Sequence, residues 1–136
     1  MRHLHRIFAA SLAVLFAGAG GCEETPSADA VTVPSGREVR FLDVISNVPG
    51  AEGATARFRF VVPGLAEGDS EADAADMQAL CDTYALPRID AMQPPPQQII
   101  ISLAGKETPF GEAAPEVVQF FEAYSVQDGA CVWEVF

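Results

Sequence analysis

Three cysteines, at positions 22, 81 and 131, constrain this chain more than any other feature, because only two of them fall in sequence that can pack. Cys22 ends a distinctive leader. Arg2, His3, His5 and Arg6 make a basic start, Ile7 to Ala19 an apolar run, and Ala19-Gly20-Gly21 a small-residue step into Cys22. This is the layout of a secretory signal, and its apolar run is shorter than the roughly 20 residues a transmembrane helix needs. Export places the cysteines in an oxidising compartment, where an odd number leaves one over. Cys81 and Cys131 are the expected bridge. Residues 1–21 read as the signal, 22–36 as a flexible Pro/Ser/Thr-rich tether, and 37–136 as one domain.

Two cleavage modes fit the leader. The small residues before Cys22 resemble the lipobox of bacterial lipoproteins, with Ala19 standing where Leu is usual. Ala17-Gly18-Ala19 also suits ordinary cleavage, which releases a soluble periplasmic or secreted chain beginning at Gly20. Cysteine parity favours lipid on Cys22. Glu23 follows it in place of the Asp that marks inner-membrane retention, so the expected location is the periplasmic side of the outer membrane, held by the lipid alone.

Loss of the signal changes the chemistry of what remains. Of 136 residues, 115 are left, which is one domain's worth. Arg2 and Arg6 leave with the signal, so six basic residues face 19 acidic ones, for a net charge of −13. Such a field repels phosphate backbones, and no nucleic-acid partner is expected. Both histidines, His3 and His5, leave as well. Without histidine there is no Ser-His-Asp or Cys-His machinery and no His-bearing zinc or haem site. Lys106 is the only lysine, in a turn-like Gly105-Lys106-Glu107 segment. No cofactor is expected, and catalysis would have to rest on carboxylates, Tyr or Ser.

The pattern along the chain predicts an α+β domain, order β-β-α-β-β-β, with a small antiparallel sheet of about five strands and one amphipathic helix on one face. Arg37 to Ile45 reads as a strand, broken by Pro49-Gly50 and Gly53. Arg57 to Val62 alternates, with Phe58, Phe60 and Val62 on one side and Arg57 and Arg59 on the other. Those two arginines read either as an anion site or as a solvated face pairing with nearby acids. Ser70 reads as an N-cap, Glu71 and Asp73 complement the helix dipole, and Met77, Leu80, Cys81 and Tyr84 recur at helical spacing over 71–85. Pro87 is the expected stop. Asp69, Glu71 and Asp73 mimic a calcium loop, but Ala74 replaces its glycine and Leu80 its final Glu, so an EF-hand is excluded.

Pro94-Pro95-Pro96 reads as an extended connector. Ile99 to Leu103 is apolar on both faces, as a central strand should be. The stretch 116–126 fits a helical stripe (Val117, Phe120, Phe121, Tyr124) or a strand, and Asp128-Gly129 tips it toward an antiparallel hairpin with 131–136. The bridge Cys81–Cys131 would pin the helix to the last strand. Closing a loop of about 50 residues stabilises by ~4 kcal/mol in the chain-entropy model.

Leu42-Asp43-Val44, RFRFV from Arg57, DMQALCDTYALP from Asp76, IISL from Ile100, PFGE from Pro109, and QFFEAY to CVWEVF resemble a family of short bacterial exported proteins of unknown function, over residues 34–136. Some members carry an automatic label of acetolactate synthase. The mature chain is far too small for a thiamine-diphosphate enzyme and lacks a nucleotide-binding glycine motif. The resemblance implies compartment and domain extent, with no activity and no catalytic residues.

The functional expectation is a non-catalytic, lipid-tethered periplasmic module that binds or scaffolds an envelope protein. An inhibitor or accessory subunit of such a protein is the alternative, and a carboxylate hydrolase using Glu122 with Glu134 across the hairpin a weaker one. Glu122, Tyr124, Trp133 and Glu134 are the candidate contact residues, although Trp133 also reads as core.

Overall fold

The computed structural model describes residues 29–50 and 53–135, so the signal, Cys22 and the first part of the tether lie outside the described residues. Five strands form one sheet in the order β1-β2-β3-β4-β5: Arg40–Gly50, Gly53–Val61, Gln98–Ala104, Gln119–Gln127 and Ala130–Glu134. Between β2 and β3 the chain forms helix α1 (Ser70–Leu80), a π-helical turn (Cys81–Ala85) and the short α2 (Leu86–Ile89). The α+β class and element order agree with the sequence pattern.

The sheet is mixed, where the pattern predicts an antiparallel one. β2 and β3 run parallel, with Phe58 opposite Ile101, and the other three pairings are antiparallel. The helix is the reason. A crossover through a packed helix carries the chain back to the end where the preceding strand began, so the next strand repeats its direction. β3 lies in the middle of the sheet, which accounts for its apolar residues on both faces. The 116–126 ambiguity resolves as strand from Gln119 on, with residues 116–118 in the connection before it. Asp128 and Gly129 both take positive φ, 50° and 73°, as the tight hairpin between β4 and β5 requires.

Alternation divides the sheet into two unlike faces. Phe58, Phe60, Ile99, Ile101, Leu103 and Tyr124 point under the helix and pack with Met77, Leu80, Cys81, Ala85 and Ile89. Tyr84 completes an aromatic group there, its ring centroid 5.0 Å from Phe41 and 5.3 Å from Phe60. Among the described residues, no helix covers the opposite face.

The helix departs from expectation at both ends. Asp69, not Ser70, is the N-cap, and no side chain bonds the exposed amides there. Pro87 does not stop the helix at residue 85. The turn before it widens, Leu86 N–H reaching the Cys81 carbonyl, and the chain continues helically to Ile89. A π turn eases the clash that a proline ring makes with the preceding turn.

Residues 29–36, expected in the tether, also belong to the folded body. Val31 N–H bonds the Val39 carbonyl, Phe41 N–H bonds the Asp29 carbonyl, and Val33 is buried. What fastens them is a charge cluster under the helix. Arg37 meets Asp73 and Asp76 at 2.7 Å each, and Asp76 accepts from Ser35 N–H at 3.0 Å and Ser35 Oγ at 2.7 Å. Both carboxylates are almost wholly withdrawn from water. Asp73 thus binds the N-terminal segment in addition to favouring the helix dipole.

Cys81 and Cys131 form the expected disulfide, with Cα atoms 6.2 Å apart. Gln78 Nε2 adds a hydrogen bond to the Cys131 carbonyl, at 3.2 Å. Together they hold the helix to edge strand β5.

Candidate functional site

The strand register separates the residues singled out in the hairpin. Tyr124 is opposite Trp133, and Ala123 is opposite Glu134. Glu122, Tyr124 and Trp133 therefore share the helix-side face, while Glu134 points the other way. The Glu122–Glu134 carboxylate pair does not form, because residues an odd number of steps apart across this register stand on opposite faces. Tyr124 is only 1% exposed, so it is core and cannot be a contact residue. Burial, then the charges of Glu122 and Asp82, raise its phenol well above the ordinary tyrosine value.

Trp133 is 53% exposed, contrary to its reading as core. It lies on the edge strand two residues past Cys131, where the disulfide ties down the helix, and its indole N–H donates to the Glu122 carboxylate. Glu134 accepts from Gln98 Nε2 at 2.8 Å, and Gln98 Oε1 in turn accepts from Thr55 Oγ1 at 3.2 Å. Each of these two glutamates is thus held by a neutral donor. A cavity of about 300 Å³ lies between the start of α1 and β4, lined by Ser70, Asp73, Met77, Phe120 and Glu122 among others. Its acids are already engaged, Asp73 by Arg37 and Glu122 by Trp133.

The uncovered face is built differently. β2 presents Arg57 and Arg59 there, as the alternation of RFRFV dictates. Arg59 is buried and ion-paired: Nη1 donates to Asp43 Oδ2 on β1 at 2.9 Å, and Nη2 donates to the Thr108 carbonyl in the β3–β4 loop. That bond draws the loop over the sheet and brings in Phe110. Arg57 lies between Phe110 and Phe121, its guanidinium carbon 5.9 and 5.5 Å from the ring centroids. Phe110 and Phe121 are themselves about half exposed.

No carboxylate of the described residues pairs with Arg57. Its Nε is buried without a hydrogen-bond partner. Burial, and secondarily the neighbouring Arg59 charge, lower its pKa from the ordinary arginine value. The face therefore carries a partly desolvated, always-charged fork framed by aromatic rings. Sequence reasoning found the arginines and missed the rings. Phe121 had a signal: it falls on the opposite side of a period-two reading from Phe120 and Tyr124. Phe110 had none, since the long-range contacts of its loop with Arg57 and Arg59 place it.

Among the described residues, no group of three or more His, Cys, Asp or Glu is placed to hold a metal ion, and no helix is long and apolar enough to cross a membrane. Fold and face together define a small α+β domain with one sheet surface packed under the helix and one that the β3–β4 loop covers in part. The chain belongs to a family of unknown function, described as Family of unknown function (DUF6497), whose model matches residues 14–136. No curated protein and no solved structure matches it.

Proposed function

We propose that this protein is an exported, lipid-anchored, non-catalytic recognition module of the bacterial envelope, and that the uncovered sheet face is its contact surface for another envelope protein. The leader ending at Cys22 supports export and anchoring. One observation carries the recognition reading: Arg57 is half-buried between two exposed phenylalanines, and no carboxylate of the described residues pairs with it, in a chain with 19 acids. A guanidinium kept partly dry and unpaired costs stability, and arginine and aromatics are the residue types that dominate binding surfaces.

The test is site-specific photo-crosslinking in cells, with the reactive residue at Val132 on the uncovered face or at Thr83 on the exposed side of the helix. Discrete adducts from Val132 and none from Thr83 are expected. Equal yields at both positions, or none at Val132, overturn the reading. Mass analysis of the membrane fraction should find a diacylglyceryl-modified chain beginning at Cys22, and a soluble product beginning at Gly20 removes the anchor.

A further inference from the structure

We propose that the Arg57 clamp reads a single carboxylate on a peptide segment of the partner, one flanked by apolar side chains. The inference rests on the recognition reading above and names what that surface takes. Its basis is local charge complementarity. Arg59 pairs with Asp43 through Nη1 and donates Nη2 to Thr108, which leaves Arg57 as the one positive charge beside the rings without a described carboxylate. A guanidinium fork matches the two oxygens of a carboxylate, and such charge-assisted bonds are roughly twice as strong as neutral ones.

One charge suits a monoanion. A dianionic phosphate would demand a second cation, and the one beside Arg57, Arg59, is already paired with Asp43. Phe110 and Phe121 frame the guanidinium, and both rings are about half exposed. These walls want apolar neighbours beside the carboxylate. The ligand chemistry is thus an acidic side chain between hydrophobic ones. Burial at the clamp also removes the water that would otherwise compete for the ion pair.

The probe is the peptide acetyl-Phe-Glu-Val-amide, compared with its neutral isostere acetyl-Phe-Gln-Val-amide, titrated into the purified protein and followed by the Arg57 Nε–H resonance. Saturable shifts are expected with the glutamate peptide, and binding at least about tenfold weaker with the glutamine peptide. Arg57→Gln should abolish the difference between the two peptides. Arg57→Lys, which keeps the charge and loses the fork, should weaken the glutamate peptide several-fold.

Equal binding of the two peptides, or no saturable shift at millimolar glutamate peptide, overturns the proposal. So does tighter binding of inorganic phosphate at the same resonance. Concentration-dependent shifts there without peptide would assign the clamp to a second copy of the chain and also overturn it. The two readings fail separately. Val132 adducts with unselective peptide binding leave the recognition surface standing without its carboxylate. Selective peptide binding without adducts in cells leaves the site standing and removes the envelope role.

Discussion

Arg37 and Arg57 are the same residue put to opposite uses on the two sides of one sheet. Arg37 lies under the helix with two buried carboxylates at 2.7 Å, one of which also takes two hydrogen bonds from Ser35. Arg57 lies on the uncovered side with aromatic rings for neighbours and no carboxylate of the described residues paired with it. The first is a fastener: its charge is consumed in joining residues 29–39 to the helix. The second is displayed, its charge left over after folding. Breaking each in turn should separate structure from function.

The largest loss is expected on the fastened side. Replacing Cys81 and Cys131 with Ala frees the helix from β5 and should cost ~4 kcal/mol by loop entropy, read as a lower urea midpoint. Arg37→Met comes next. It strands two buried carboxylates, and such a break typically costs about 3 kcal/mol, so thermal unfolding should fall by ten degrees or so. Adding Asp73→Asn and Asp76→Asn to Arg37→Met should recover part of that loss. If the triple variant is no better than Arg37→Met, the penalty is lost packing rather than unpaired charge.

A third probe of the helix side uses pH. The phenol of Tyr124 is raised above its ordinary value by burial first, then by Glu122 and Asp82. Its contribution is complete below the ordinary tyrosine pKa of about 10. Above it, the unfolded chain releases a proton that the folded chain retains, so stability falls as pH rises. Tyr124→Phe should flatten this alkaline decline and change little at neutral pH. An unchanged alkaline curve would place the decline on other groups.

How much of this was legible in the sequence follows from how local each feature is. The strands, the hairpin at Asp128-Gly129 and the Cys81–Cys131 bridge rest on short-range alternation, turn chemistry and cysteine counting. The parallel β2–β3 pairing was implied by a helix between two neighbouring strands, but alternation alone does not record direction. The Arg37 cluster was illegible because it joins residues 41 positions apart in the Ser35–Asp76 case, and acids in a first turn already have a sufficient local explanation. Trp133 was misread because alternation assigns a face, not how far the helix extends across it. The clamp was half visible. RFRFV put two arginines on one face, but which of them would be neutralised depended on Asp43 and Thr108.

The smallest expected effect is also the one with the opposite sign, and it decides whether the comparison holds. Arg57→Met keeps the side chain's length and its contact with Phe110 and Phe121, and removes a charge that no described carboxylate balances. A buried Nε without a partner is relieved at the same time. The domain should therefore gain up to about 1 kcal/mol, visible as a higher urea midpoint at unchanged slope. The same substitution should abolish discrimination between the glutamate and glutamine peptides. A gain in stability joined to a loss of recognition is what a residue kept for binding produces. If Arg57→Met instead destabilises as Arg37→Met does, then Arg57 is a second fastener, the rings are its packing, and the uncovered face has no displayed charge left to read a partner with.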